Sequence, residues 1–208
     1  MQYLVHFADH LILHWSLVSI LEFIDTEILV TEKWNYYKVN PFVDYDISKA
    51  INVVLTNQVF VLLPFLYLFS PNLGDGNIFE FSNIYKFFFA ILLVETFFYH
   101  IHMFFHHPFL YSNFHSLHHL HRYVSPIFAT YSHPIEYLFC NILPVFLSGY
   151  IVGFNMITFR IWHMIALFNS IVFAHGGYKF SVSHNKHHIN PNYNFGVIGL
   201  FDKLYSTD

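Results

Sequence analysis

Histidine falls along this chain in a pattern that points to metal binding. Three clusters carry it: His102 and His106 in H-I-H-M-F-F-H-H, His115, His118 and His119 in H-S-L-H-H, and His184, His187 and His188 in H-N-K-H-H. Positions i, i+3 and i+4 of a helix share one face, so each cluster can aim its imidazoles at a common point. These eight imidazoles exceed the roughly four to six donors that one transition ion takes, and the economical reading is two ions held between three short helices. Ring nitrogens disfavour calcium and magnesium, which take oxygen, and a single cysteine, Cys140, argues against a thiolate zinc site or an iron–sulfur cluster. Imidazole suits iron, copper, nickel and zinc alike, so spacing leaves the metal open. A merely solvated polar surface does not account for three tight clusters beside apolar segments.

The elements that must position these residues are membrane helices. With 208 residues, 55% hydrophobic, 22% aromatic and only 11% charged, the chain is too apolar for an ordinary soluble domain. Residues 53–69 and 87–105 are apolar runs of spanning length, and 137–173 is long enough for two spans or a re-entrant pair. Residues 4–30 are weaker, because His6, Asp9, His10, His14, Glu22, Asp25 and Glu27 interrupt them; that segment is read as interfacial, or as a span whose polar face is covered. The expectation is an all-α integral membrane bundle of about four transmembrane or re-entrant helices, one domain over 1–208 with its histidine core from about 90 onward.

Topology follows from the need to gather the clusters. Residues 33–49 read as a polar connector, and 70–86, with Pro71, Gly74, Asp75 and Gly76, as a loop between antiparallel spans. The span at 87–105 then delivers His102 and His106 to one membrane face, with His115 to His119 following on the same side. For His184 to His188 to join them, 137–173 must be a hairpin, turning near 149–155 or near Arg160. Arg122, Lys179, Lys186 and Lys203 flank the clusters, which places the site on the cytosolic side by the positive-inside tendency. No cleavable leader, glycosylation sequon or lipid-anchor signal is found, so insertion is expected to rest on the spans. The net charge of −4, without a basic stripe, excludes nucleic acid as an expected partner.

The same residues resemble the sterol desaturase and fatty acid hydroxylase superfamily of membrane-bound, histidine-rich, non-haem di-iron enzymes. The likeness runs over roughly the C-terminal half: His102-x-x-x-His106, His115-x-x-His118-His119, Pro126, His133-Pro134-x-Glu136, His175-Gly176-Gly177, His184-x-x-His187-His188, and a tail of Asn192-Tyr193-Asn194-Phe195-Gly196 and Phe201-Asp202-Lys203-Leu204. The spacing from His119 to His133-Pro134 and the tail are most similar to the C-5 sterol desaturases, followed by the C-4 methyl sterol oxidases. Met103 departs from the pattern, standing where the family often has arginine. The resemblance implies that the clustered histidines bind two irons, that zinc can replace iron on heterologous expression, and that O2 is the co-substrate for attack on an unactivated C–H bond of a sterol or related lipid. Hydroxylation and desaturation both begin with hydrogen abstraction, and both stay open. It also implies an endoplasmic reticulum location and electrons from a cytochrome b5-type donor, since the chain has no flavin, haem or dinucleotide fingerprint.

Other polar residues are read against simpler alternatives. His175 is a ninth ligand or an interfacial side chain, and it is counted with the ligands. His133 with Glu136 either orients a ligand imidazole, bridges metals through water, or merely starts a helix at Pro134. Glu95, Tyr99, His102 and His106 share a helix face, making Glu95 a candidate partner for a histidine ring nitrogen. His107 and His121 fit no spacing and are read as surface or supporting residues. The i, i+4, i+8 stripe of His6, His10 and His14 is read as the polar face of an interfacial helix, and His163 as a packed or pathway-lining side chain. The alternative to an enzyme is a metal carrier or store; ligands at span ends rather than near the midplane favour the enzyme.

Overall fold

A computed structural model of the chain describes residues 2–28, 38, 45–70, 73–74, 76, 82–179 and 182–208. Seven principal helices carry it: α1 (Gln2–Phe23), α2 (Ile47–Phe69), α3 (Ser82–Phe105), α4 (Pro134–Ile151), α5 (Met156–Ala174), α6 (Val182–Ile189) and α7 (Leu200–Tyr205). Among the described residues there is no strand, only an isolated bridge between Lys38 and Tyr178, so the all-α expectation holds. Most of the connector at 33–49 and of the loop at 70–86 lies outside the described residues.

Five helices, α1 to α5, are long and apolar enough to cross a membrane, one more than expected. The additional span is α1. Its stripe of His6, His10, His14 and Val18 is buried, so the three histidines that made it look interfacial face the bundle interior. Of the two readings of this segment the covered span fits and the interfacial one does not: periodicity shows that a helix has a polar face but not what covers it. Exposed Ile12, Ile20, Phe60, Leu68, Phe88, Phe89 and Phe104 give the bundle an apolar outer surface suited to lipid, with backbone groups satisfied within the helices.

The segments that carry the clustered histidines bring them to the same end of the bundle. α1, α3 and α5 run toward that end and α2 and α4 away from it: Val18 of α1 shares a core cluster with Leu167 and Ile171 of α5 and with Ala50 and Val54 near the start of α2. The α4–α5 turn lies at 152–155, the first of the two expected positions, where Gly153 takes φ +70° and Asn155 Oδ1 accepts the Thr158 N–H at 3.0 Å to begin α5. Arg160 lies inside α5 instead, paired with Asp9 of α1 (Nε to Oδ2 2.6 Å). A second cluster of Leu62, Phe65, Leu66, Ala90, Val145, Phe146, Phe159 and Trp162 packs the distant half.

Two prolines shape the spans. Pro64 and Pro144 have no N–H for the helical ladder, and each follows a π-helical stretch, Gln58–Leu62 and Tyr137–Ile142, whose widened turns absorb the missing bond. Between α3 and α4, Ile127, Phe128, Ala129 and Tyr131 of an irregular segment are buried in the cluster with α1, α2 and α5. Asn57 Nδ2 donates to Ser132 O at 2.8 Å and ties that segment to α2. The His115–His119 turn therefore rests on a packed floor.

Gly149 marks the tightest approach of α4 and α5, since a Cβ there would meet the buried Phe159 ring at 2.7 Å. Gly149→Val is expected to lower stability by about 1–3 kcal/mol through overpacking, read as reduced thermal stability of the detergent-solubilised protein, with Phe159→Leu on the same background recovering part of the loss.

Candidate metal centre

The three histidine clusters meet at one end of the bundle and sort into two adjacent groups of donors. His102 and His106 from the last turns of α3, His115 and His119 from the turn that follows, and His187 from α6 form the first; their ligand atoms all lie within 4.8 Å of one another. His118, His175, His184 and His188 form the second, within the same limit and wholly buried. The π-helical end of α5, Asn169–Ala174, carries His175 inward, so this residue sits with the eight.

What makes these rings ligands rather than a polar tangle is the orientation of their outer nitrogens. A backbone carbonyl only accepts, so a ring nitrogen facing one carries the proton and its other nitrogen is a lone pair. His102 Nδ1–H donates to Phe195 O (2.8 Å), His187 to Tyr193 O (2.6 Å), His118 to Tyr131 O (3.3 Å), His175 to Ser170 O (3.0 Å) and His188 to His121 O (3.2 Å). His115 Nδ1 lies 2.9 Å from Glu136 Oε1. The Nε2 atoms of the first group converge: His106 to His187 3.0 Å, His106 to His115 3.0 Å, His115 to His119 3.1 Å and His119 to His187 3.2 Å. In the second group His118 and His184 approach at 3.4 Å, while His175 Nε2 and His188 Nε2 are buried without a hydrogen-bond partner.

Converging lone pairs repel unless a cation lies between them. Nitrogen donors about 2.1 Å from an ion and at right angles to each other stand about 3.0 Å apart, which matches the first group. Both groups fit a late first-row divalent ion in number, chemistry and orphaned lone pairs. Burial keeps them neutral and ligand-competent: with desolvation as the main cause, His106, His175 and His187 fall to about 3 and His118 to about 4. His115, His119, His184 and His188 are also lowered by burial, aided by neighbouring imidazoles.

The supporting residues are partly those expected. Glu136 stands beside His115, where one reading of the H-P-x-E element put it, with Oε1 2.9 Å from Nδ1 but without hydrogen-bond geometry. His133 does not join the site; its Nδ1 accepts the Ile135 N–H at 3.2 Å and caps the start of α4. The His121 ring stacks on Phe128 while its carbonyl holds His188, and His107 precedes Pro108 at a helix start. Glu95 contacts no histidine among the described residues. Its carboxylate, fully buried, accepts the N–H groups of Val197, Ile198, Leu200 and Phe201 at 2.7–3.4 Å. The shared helix face was real, but the tail occupies the space beside it.

That tail is what sequence reasoning missed. Asp202 accepts the Phe195 and Gly196 N–H groups, each at 2.8 Å, and Gly196 passes so close to both carboxylates that a Cβ would meet Glu95 Oε1 at 2.6 Å and Asp202 Oδ2 at 2.7 Å. Asn194, at φ +59°, stands between Tyr193 and Phe195, the two residues whose carbonyls hold His187 and His102. The Asn-Phe-Gly run with an aspartate six residues on was visible in sequence, but its role depends on a packing that spacing does not reveal.

A cavity of about 480 Å³ opens on the inner side of both groups. His102, His115, His118, His175 and His184 line one end, and its walls are mainly apolar, with Val94, Phe98, Cys140, Val145, Leu167 and Phe173 among them.

Comparison with known proteins agrees with this arrangement. The profile of the fatty acid hydroxylase family matches residues 87–207. A human protein named fatty acid hydroxylase domain-containing protein 2 is 30% identical over 93% of the chain and 63% of its own length, so the chain spans less than two thirds of that relative. Methylsterol monooxygenase 1-1 of Arabidopsis thaliana is 30% identical over 95% of the chain and 75% of its own length, and a C-4 methylsterol oxidase of Schizosaccharomyces pombe is 30% identical over 66% and 49%. No solved structure matches the chain.

Two outcomes follow from this geometry. Glu95→Ala leaves four backbone N–H groups without their acceptor and frees the tail, so the purified protein should hold its metal about 10–100-fold more weakly, seen by elemental analysis after dialysis against a chelator, whereas Tyr67→Phe on the outer surface should change nothing. The metal-free protein should lose stability as pH falls from about 6.5. Unfolded histidines take up protons from there downward, whereas the folded His106, His118, His175 and His187 wait until about 3 to 4. Thermal unfolding of the apo protein between pH 7.5 and 5 reads this, and an unchanged midpoint would show the rings already protonated or exposed.

Proposed function

Because the chain belongs to the fatty acid hydroxylase family, within the sterol desaturase and fatty acid hydroxylase superfamily, we propose that it is a membrane lipid oxidoreductase that hydroxylates or desaturates an unactivated C–H position of a sterol or related lipid. The observation that carries this reading is the juxtaposition of two converging imidazole groups with the closed end of an apolar cavity. His102, His106, His115, His119 and His187 would hold one iron and His118, His175, His184 and His188 the other. The pair would supply activation of O2 for C–H attack.

The chain's own residues do the rest. The apolar walls hold the lipid carbon against His102, His118 and His184 and keep water from the reacting face. Carbonyls of Tyr131, Ser170, Tyr193 and Phe195 fix ring orientation, and the Glu136 carboxylate stands beside His115 Nδ1. Of the first group, His106 and His119 are partly exposed on the side away from the cavity, which offers an approach for an electron donor that does not compete with the lipid. Cytochrome b5 is the type of donor proposed. A cytosolic site on an endoplasmic reticulum membrane is the matching location, supported by Arg122, Lys179, Lys186 and Lys203 at the histidine end and by the sterol-oxidising relatives. The whole chain, 1–208, would act as one domain.

The test compares total lipids, by untargeted mass spectrometry, from cells expressing the intact chain and cells expressing its His118→Ala, His119→Ala form at equal membrane levels. A lipid gaining oxygen or losing two hydrogens only with the intact chain is the expected outcome and names the substrate. Identical lipid profiles in hosts that supply sterols and cytochrome b5 would count against an oxidase and for a metal carrier.

A further inference from the structure

Besides the metal-facing histidines and Glu136, two sets of polar side chains interrupt the cavity wall. His10 and His163 form the farther set, and each has a partner: Gln58 Nε2 stands 3.3 Å from His10 Nε2, and His6 Nε2 2.7 Å from His163 Nδ1. Thr130, Asn141, Asn169 and Ser170 form the nearer set. Thr130 Oγ1 is buried without a hydrogen-bond partner. The side chains of Asn141, Asn169 and Ser170, all half-buried, make no hydrogen bond among the described residues. Amides inside membrane-crossing helices are costly unless something pairs with them, and neither asparagine is paired within the bundle.

This nearer set borders the metal centre. The Ser170 carbonyl accepts the His175 Nδ1–H at 3.0 Å, so the Ser170 hydroxyl and the Asn169 amide beside it start from the turn of α5 that orients a ligand ring. Thr130 precedes Tyr131, whose carbonyl holds His118. Asn57 Nδ2 fixes that segment from α2, donating to Thr130 O (3.4 Å) and Ser132 O (2.8 Å). Asn141 lies five residues beyond Glu136, no more than about 8 Å along α4, and Glu136 stands beside His115. Asn141 and Asn169 each belong to a π-helical stretch, Tyr137–Ile142 and Asn169–Ala174, a rare winding that concentrates at functional sites.

The chemistry of the set selects its ligand. No lysine or arginine lines the cavity among the described residues, whereas the Glu136 carboxylate does, so nothing there balances a phosphate or a carboxylate. Amides and hydroxyls each donate and accept, and a hydroxyl on the ligand answers both roles. Resting on the oxidoreductase reading for the lipid in the cavity, we propose that Asn141 and Asn169, assisted by Thr130 and Ser170, hold a hydroxyl of the lipid beside the carbon presented to the metal centre. They are specificity-determining residues of this chain. A lipid with a hydroxyl within a few bonds of the attacked carbon replaces the water it displaces from the two amides. One of the same shape without the hydroxyl strips that water and returns no hydrogen bond, and is rejected.

A tritiated C-4 methylsterol, whose hydroxyl stands on the adjoining carbon, and its 3-deoxy counterpart test this by their binding to the full chain in nanodiscs, measured above protein-free nanodiscs. The methylsterol should bind at least about tenfold more tightly than the deoxy form. Asn141→Leu combined with Asn169→Leu keeps side-chain size, and it should weaken the methylsterol, tighten the deoxy form and bring their ratio to about one. A change that only disturbed the fold would weaken both alike and leave the ratio standing. Equal affinity of the native chain for the two probes, or a ratio of native size in the double variant, would overturn the proposal. Should the double variant fail to accumulate, the two single variants decide, each expected to lower the ratio about threefold. Hydroxyl-dependent binding with no oxidised lipid in the cells would overturn the oxidoreductase reading alone, and oxidised lipid with binding indifferent to the hydroxyl would overturn this one alone.

Discussion

The centre depends on which nitrogen of each imidazole carries the proton. Five of the nine clustered rings point Nδ1 at a backbone carbonyl, and that fixes their inward nitrogens as lone pairs. A helix face can bring histidines together, but only an external acceptor decides what they present to one another. The rest of the fold can be understood as the means of delivering those acceptors to depth: a packed floor from 126–131, a widened last turn on α5, and a tail folded back over α3.

Each acceptor must itself be held, and the chain uses buried carboxylates for this. Glu95 and Asp202 have full complements of backbone N–H donors and no cationic partner among the described residues. Dispersed N–H dipoles satisfy an acidic group in an apolar setting without a second charge to desolvate. Gly196 is required because two carboxylates crowd the place a Cβ would take. The tail is thus locked on the bundle by these polar contacts together with Phe195, Phe201 and Tyr205 packed around Tyr99, and it transmits that rigidity to His102 and His187 through Phe195 and Tyr193.

Much of this was legible in the sequence because histidine is chemically specific and helical spacing is regular. The eight clustered positions, the all-α bundle and the hairpin that returns His184 to the others followed from residue type, apolar run length and the need to share one membrane face, while His175 was counted with them through the family resemblance. What stayed hidden were relations between segments. Glu95 shares a helix face with His102, yet the tail intervenes. His133 has the ligand chemistry and instead caps its own helix. His6, His10 and His14 make a stripe that reads the same whether it faces headgroups or the bundle interior, and only the packing of α1 against α5 distinguishes the two.

The two groups of imidazoles differ in their exposure. The second is buried and borders only the cavity, while His106 and His119 of the first are partly exposed. Ions in these positions would exchange on different timescales, the outer one meeting water and chelators directly and the inner one leaving only when α6 lifts away. Loading would then be ordered from the inside out, and a preparation stripped gently would hold a half-occupied state, with one ion retained where the lipid cavity ends.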